Sequence, residues 1–354
     1  SRKPIAVLAA KMIDKLQVLD KKSDMAQMTG FDDGEEETVI NLTVKPGMKQ
    51  GWFGNAYGGY GSKDRYEGNA MVNRFVNNDQ ITFMGGANNT NNMGFSDLAS
   101  TMFSGMGGGG GRRGGFGAGS GITSSGNAGL NFSKEFKPDK LTLGGNTRYS
   151  HSDNDARSKS DRQNILPGDS SSYDNSEAMS RTKSDNFGVD FRLEWKPDTM
   201  TQLIFRPSFS FSHSMNDNFS DATTLDNERD TVNTNKSSNY SESNGYNLNA
   251  SIDFSRKLNN KGRVFSATLS GGNSDSYSDG MNRSDIVYFN QTDALKNSII
   301  DQRSRYDNKG FNYRAYVSWV EPIGHNNFIQ ATYSISQRKQ EASKNVYNHD
   351  ADGI

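Results

Sequence analysis

Hydrophobic residues occupy every second position over long stretches of this chain. In residues 186–195, NFGVDFRLEW, the apolar side chains from Phe187 to Trp195 stand at odd positions, and glycine, polar or charged residues stand between them. After the turn 196–199, the alternation resumes in residues 200–215, with Leu203 and Phe211 on the apolar face. A period of two is that of a β-strand with one apolar and one polar face. This segment therefore predicts a hairpin of two long strands.

The same pattern predicts eleven long strands, most of them ten residues or longer. They are residues 51–60, 66–76, 80–89, 126–136, 140–151, 186–195, 200–215, 245–257, 263–277, 311–320 and 327–341. Strands of soluble proteins are usually five or six residues long, whereas about 9–11 tilted residues cross a bilayer. The predicted strands therefore have the length of membrane-crossing strands.

The connections between these strands alternate between two kinds. Short turns are expected at residues 77–79, 137–139, 196–199, 258–262 and 321–326, and long polar loops at residues 90–125, 152–185, 216–244 and 278–310. Only the loop at 61–65 is short on the long-loop side. Short periplasmic turns and long extracellular loops are typical of outer-membrane barrels. The fold class expected is all-β: an antiparallel up-and-down transmembrane β-barrel, here partial, with about eleven strands.

Tryptophan placement agrees with this arrangement. Trp52 opens the first long strand, while Trp195 and Trp319 close the sixth and the tenth, so all three fall at the periplasmic end. Tryptophan is enriched at membrane interfaces, where it forms aromatic girdles. We therefore expect these three residues to belong to an interfacial girdle.

The polar face of the strands is expected to line the lumen, because a charged side chain facing lipid costs about 2–4 kcal/mol at the midplane. On this basis the set Tyr246–Phe254 at even positions faces outward and the set Asn247–Ser255 faces inward. Arg74 is an exception that falls on the more apolar face of its strand. The lumen-lining candidates, expected to contact a plug or a ligand, are Arg148, Asp190, Arg192, Glu194, Arg206 and Arg314.

Composition narrows the function classes. The chain has 354 residues, of which 32% are hydrophobic, and its mean hydropathy is −0.82. No apolar run is long enough for a transmembrane helix. The net charge of −1 gives no reason to expect nucleic acid as a partner. Cysteine is absent, which excludes disulfides, thiolate zinc sites and cysteine nucleophiles.

No catalytic or metal-binding constellation is recognisable. The four histidines stand far apart in the sequence, and neither an HExxH nor a G-x-S-x-G motif is present. An outer-membrane enzyme would need a Ser/His or Asp/His set near the rim, and no strand supplies one. We therefore expect a protein that is not an enzyme and has no cofactor and no metal.

Residues 11–135 resemble the plug-to-barrel junction of TonB-dependent receptors, and more narrowly the branch described as outer membrane β-barrel family proteins. The motifs are DKKSD, an acidic loop with glycine, INLTVKP, a GYFGN-like strand, a DRYEG-like strand, and a glycine-rich stretch that leads into GIT. In this sequence they stand at Asp20–Asp24, Asp32–Glu37, Ile40–Pro46, Gly51–Asn55, Asp64–Gly68 and Gly121–Thr123.

The resemblance implies a 22-stranded barrel with an N-terminal plug, located in the bacterial outer membrane and driven by the inner-membrane TonB complex. Residues 1–46 would then be the end of the plug, containing a strand at 38–45, and residues 47–354 the first half of the barrel. The chain would be a fragment with unpaired edges near 51–60 and 327–341. Its partners would be membrane lipid, the TonB complex and a nutrient: a siderophore, cobalamin, a glycan or a peptide. A surface-binding or adhesin-type barrel without transport stays the alternative.

Overall fold

The computed structural model of the chain describes residues 13–22, 36–44, 50–91, 121–165, 171–289, 297–323 and 327–348. Regular structure in these residues is entirely β-strand. None of them belongs to a helix long and apolar enough to cross a membrane.

A small sheet of two strands comes first. β1 (Ile13–Lys22) and β2 (Glu36–Val44) pair antiparallel, with Val18 opposite Ile40. The expected strand at 38–45 corresponds to β2. The extended backbone of β1 begins at Ile13. Each residue of β1 from Lys15 onward has a partner in β2, and this pairing stabilises extended backbone over a longer segment than the apolar residues alone indicate.

Eleven further strands form one sheet in sequence order, and every neighbouring pair is antiparallel. They are β3 (Gln50–Tyr60), β4 (Tyr66–Val76), β5 (Asp79–Asn88), β6 (Ile122–Lys137), β7 (Leu141–Ile165), β8 (Ser171–Trp195), β9 (Thr201–Leu225), β10 (Thr231–Lys257), β11 (Val264–Tyr288), β12 (Asn297–Ile323) and β13 (Asn327–Asn348). The predicted strand number, order and antiparallel up-and-down topology are confirmed.

β3 and β13 lie at the two ends of this sheet, and they do not pair with each other within the described residues. Every residue of β13 is exposed. These are the two edges that the sequence led us to expect near 51–60 and 327–341.

The largest difference from expectation concerns the long loops. Residues 152–165, 171–185, 216–225, 231–244, 278–288 and 297–310 are paired strand, so the prediction of loops at 152–185, 216–244 and 278–310 is wrong. Most of the predicted loop 90–125 lies outside the described residues. β7 to β12 are each 25 to 27 residues long. These extensions lack apolar alternation because both of their faces are polar, and the hydrophobic pattern on which the strand prediction depended therefore stops before the strands do.

The described tight turns at the opposite end, such as those at 77–79 and 137–139, are where the sequence placed them. Asn77 (φ 55°) and Asp139 (φ 57°) adopt the left-handed conformation that short Asn and Asp side chains tolerate. In the turn before β9, the Oδ1 of Asp198 accepts a hydrogen bond of 2.8 Å from the amide of Met200. Such local hydrogen bonds satisfy backbone N–H groups at the strand ends that have no partner in the neighbouring strand.

Most of the buried side chains lie on one face of the sheet, on β4 to β7 and near the turn ends of β9, β11 and β12, where Ile204, Val264 and Val320 are almost fully buried. They include the apolar Met71, Phe75 and Met84, and the polar set Asn73, Thr82, Asn131 and Asn146. The opposite face of the same strands carries exposed apolar side chains, such as Val72 and Phe83.

Candidate functional site

The two faces of the eleven-stranded sheet differ in chemistry. We call the face that carries Trp52, Trp195 and Trp319 the outer face, and the opposite face, which carries Arg148 and Asp190, the inner face. Continuous register across the sheet provides a common reference. This reference row consists of Phe53, Asn73, Thr82, Asn131, Asn146, Asp190, Ser208, Asn249, Gly272 and Asn312, each opposite the next.

The three tryptophans define a slanting lower border. We count positions along each strand from its reference-row residue, and "below" means toward the short turns. Trp52 lies one residue below Phe53 on β3, Trp195 five residues below Asp190 on β8, and Trp319 seven residues below Asn312 on β12. The border therefore descends by six residues from β3 to β12. All three side chains are exposed.

An upper border of aromatic residues runs parallel to the lower one. Tyr60, Phe187 and Phe311 stand seven, three and one residues above the reference row on the same three strands. They too descend by six residues from β3 to β12. On each strand the two borders are therefore eight residues apart: 52 to 60, 187 to 195 and 311 to 319.

We call the outer-face residues between these borders the apolar belt. A descent of six residues over nine strand spacings, at about 3.4 Å per residue and about 4.8 Å per spacing, is a slant of roughly 25°. Eight residues of strand at this slant give a belt about 25 Å tall. Outer-membrane barrels have an apolar band of about 25 Å between aromatic girdles, with strands tilted by about 35–45°. The height of the belt matches that band, whereas its slant of roughly 25° is smaller than the usual strand tilt.

Charged outer-face side chains stand at the borders of the belt rather than within it. Arg74 lies at the lower border with its guanidinium 5.3 Å from the ring centre of Trp52. Lys134, also near the lower border, makes an ion pair of 2.8 Å with Asp79 and lies 5.7 Å from the ring of Phe136. The exceptional position of Arg74 is therefore explained by a strand end where a long side chain can reach a wet interface.

Aromatic rings cover small residues within the belt. Gly145 lies between Phe132 and Phe191 in register, and the two rings are 6.3 Å apart. A Cβ atom on Gly145 would stand 2.6 Å from a carbon of the Phe191 ring and 3.0 Å from one of the Phe132 ring. The two rings thus fill the place of the missing side chain and keep the surface apolar and continuous.

The inner face carries the charges at the same height, and the six lumen-lining candidates all lie on it. Arg148 approaches Asp190 at 3.8 Å, and the amide of Asn146 donates a 2.6 Å hydrogen bond to Asp190. Arg192 and Glu194 pair at 3.4 Å. These four candidates thus form two ion pairs on β7 and β8.

The two remaining candidates lie farther along the sheet. Arg206 on β9 pairs with Asp253 on β10, which also accepts a 2.8 Å hydrogen bond from Thr268 on β11. Asp253 was not among the six candidates, although it belongs to the polar set Asn247–Ser255 that the sequence predicts to face inward. Arg314 on β12 is exposed and makes no ion pair within the described part of the chain. Contact of any of the six with a plug or a ligand stays a prediction.

A charged cluster also lies directly below the lower border on the outer face. Arg263 makes a two-pronged pair with Glu321, with distances of 2.8 Å and 2.5 Å, and the indole of Trp319 donates a 3.1 Å hydrogen bond to the same carboxylate. The hydrogen bonds from Arg263 and Trp319 lower the pKa of Glu321 below its ordinary value. The cluster holds the polar edge of Trp319 toward the charged side of the border.

Above the upper border, charge moves to the outer face. Tyr149 and His151 both contact the Oδ1 of Asp185, at 2.6 Å and 2.8 Å. The expectation that no strand supplies an Asp/His set near the rim is therefore wrong for this hairpin, because the register of β7 with β8 places His151 opposite Asp185. Higher on the same hairpin, Arg181 makes two hydrogen bonds to Asp153, of 2.7 Å and 3.0 Å, and they lower the pKa of that carboxyl. Near Tyr149 and Asp185 the charged residues therefore change from the inner face to the outer face. The sequence shows this change only when the strands are known to continue, and the prediction of a loop at 152–185 left it unnoticed.

Within the described ranges, no three histidine, cysteine or acidic residues are grouped so that they could hold a metal ion.

Comparison with known proteins adds little. No family model and no curated protein matches this chain. Among solved structures, it is similar to BamA from Haemophilus ducreyi lacking POTRA domains 1–3, at 10% identity over 95% of this chain and 76% of that chain, with a TM-score of 0.20. A TM-score this low carries no argument about fold or function.

Proposed function

We propose that this chain forms part of the wall of a β-barrel in the bacterial outer membrane. The observation that carries the proposal is the apolar belt, about 25 Å tall, with aromatic residues along both borders and charged residues excluded from its interior. In a soluble sheet, exposed outer positions have no reason to lose their charges over one slanted band and regain them immediately beyond it. Contact with lipid hydrocarbon supplies that reason.

The open edges fit a wall that other strands complete. In hydrocarbon, each unpaired backbone group costs several kcal/mol. β3 and β13 therefore need neighbouring strands in the membrane, because each of them pairs on one side only within the described residues. A larger barrel satisfies both edges.

More specifically, we propose that the barrel is a TonB-dependent receptor for energised uptake of a nutrient. The support is the resemblance of residues 11–135 to the plug-to-barrel junction of that family, with residues 1–46 as the end of the plug. Charges on the inner face, such as the Arg148–Asp190 pair, offer polar contacts to a plug and so support the proposal. The TonB complex and the nutrient are its proposed partners, and it would carry out no chemical reaction on the nutrient.

Uptake by intact cells tests this proposal. The full-length protein would be expressed in cells with and without a functional TonB complex, and accumulation of radiolabelled nutrients would be measured with the amount of heat-modifiable protein in the outer membrane. We expect equal insertion in both strains and accumulation only where the TonB complex works. Insertion without any TonB-dependent accumulation would favour the surface-binding alternative, for which the tall hairpins of β7 to β12 provide a display surface. Absence from the outer membrane would contradict both.

A further inference from the structure

Beyond the upper border, the inner face of β7 to β12 is almost free of charge. The inner positions of residues 150–164, 172–186, 212–224, 233–245, 276–288 and 298–308 are mainly serine, asparagine, threonine, alanine and glycine. The charged exceptions among these described residues are Arg162 and Asp174, which are opposite each other near the tip of the β7–β8 hairpin. We call this surface the neutral wall.

The outer face of the same segments has the opposite composition. Within these described segments it carries twenty charged side chains, among them Asp153, Lys159, Arg181, Asp217, Arg283 and Arg305. Both faces of these hairpins are polar, so solubility alone does not demand this separation. Exposed ion pairs such as Lys159–Glu177 contribute little to stability, so folding does not demand it either.

Hydroxyl and amide groups on the neutral wall already engage in neutral hydrogen bonds. The hydroxyl of Ser243 donates to that of Ser278 at 2.8 Å, and Thr182 donates to the amide oxygen of Asn216 at 3.2 Å. Each such side chain offers donor and acceptor sites beyond these single bonds. The wall therefore presents a dense array of neutral donors and acceptors on small side chains.

We propose that the neutral wall binds an uncharged, hydroxyl-rich polymer, of the chemistry of a neutral oligosaccharide, on its way to the barrel. The proposal rests on the proposed function, because it identifies the inner face as the approach to the lumen. A charged ligand would lose hydration along this wall without gaining an ion pair. A polymer that bears both donors and acceptors exchanges water for equivalent bonds at many positions.

Binding to the full-length protein in nanodiscs tests the proposal. The uncharged probes are maltohexaose and chitohexaose, and the charged probe is sulfated maltohexaose. Titration calorimetry should show binding of at least one uncharged probe and weaker binding of the sulfated one. Equal or tighter binding of the sulfated probe would overturn the inference, and so would no binding of either uncharged probe.

Variants on one strand assign the binding to the correct face. Asn216→Leu with Asn218→Leu removes two amides from the inner face of β9, while Asp217→Leu between them changes the outer face. We expect the double variant to bind the uncharged probe about tenfold more weakly, because each lost hydrogen bond weakens binding a few-fold, and the control variant to bind normally. An equal loss in the control would contradict the inference.

Heat-modifiability of each nanodisc sample is measured alongside. If the protein inserts but binds no uncharged probe, the proposal for the neutral wall is contradicted and the proposed function is not. If the protein does not insert, the proposed function is contradicted.

Discussion

Trp52 and Trp319 lie on one slanting line across the outer face, nine strands apart. The line descends six residues relative to the hydrogen-bonded rows, and Tyr60 and Phe311 define a second line with the same descent. The two borders are parallel and stay eight residues apart on β3, β8 and β12. This geometry indicates an apolar layer with two parallel surfaces, which the strands cross at a tilt.

A charge placed in the middle of the apolar belt should obstruct insertion. Ala250 stands on the outer face of β10, midway between Tyr246 and Phe254, while Asn249 is its inner-face neighbour. We expect Ala250→Arg to lower the free energy of unfolding from lipid by about 2–4 kcal/mol, because arginine faces hydrocarbon there. Asn249→Arg is the control and should cost much less. Urea titrations of the full-length protein in lipid vesicles measure both, and equal costs would argue against the belt.

The ring pair over Gly145 gives a second prediction, with Gly271 as a matched control on the outer face. A Cβ at Gly145 would collide with the rings of Phe132 and Phe191, whereas at Gly271 the nearest atom is the carbonyl oxygen of Asn312 at 3.5 Å, an ordinary contact. We expect Gly145→Ala to destabilise the folded protein by about 1–3 kcal/mol, and Gly271→Ala to be nearly neutral. The same titrations detect the difference. If Gly145→Ala were also neutral, the packing described for these rings would be wrong.

The extension of the β7–β8 hairpin should lose protection in acid. The pKa of Asp153 is lowered in the folded state by its hydrogen bonds to Arg181. A carboxyl with a depressed pKa stabilises the fold above its unfolded pKa, near 3.8, and this contribution disappears as the pH falls through the lower folded value. Hydrogen exchange of the amides in 152–165 and 171–185 should therefore be slow at pH 7, as in strands, and show a relative loss of protection below about pH 4.

Arg181→Gln is the control for that measurement. It removes the hydrogen-bonding guanidinium, so the acid-dependent loss should shrink while the ladder remains. Fast exchange of these amides already at pH 7 would mean that the segments are loops after all.

Prediction from sequence worked where apolar and polar residues alternate strictly and stopped where they do not. Between Phe187 and Trp195 apolar and charged residues alternate because the apolar belt lies on one face of β8 and the charges of Asp190, Arg192 and Glu194 lie on the other. From Asp185 toward the hairpin tip both faces are polar, and the strands there depend on backbone pairing with another segment of the chain, such as Lys183 with Asp153, thirty residues earlier. Nothing local in a serine- and asparagine-rich segment distinguishes such a strand from a loop.

The candidate site shows the same division. The inner-face position of Arg148, Asp190 and Arg206 follows from residue parity alone. Their partners do not, because Asp253 meets Arg206 only through the register of β9 with β10. The slant of the two borders was equally inaccessible, since it depends on register summed over many strands.

Accessibility to lipid at residues 250 and 249 tests the central claim most directly. Single spin labels would be introduced at these two positions of the full-length protein in a bilayer, and collision with a lipid-soluble quencher would be measured by electron paramagnetic resonance. The account predicts strong collision at 250, which lies in the apolar belt, and little at 249, which lies on the inner face. The reverse order would mean that the faces are exchanged, and equal, low collision at both would mean that the belt does not face lipid.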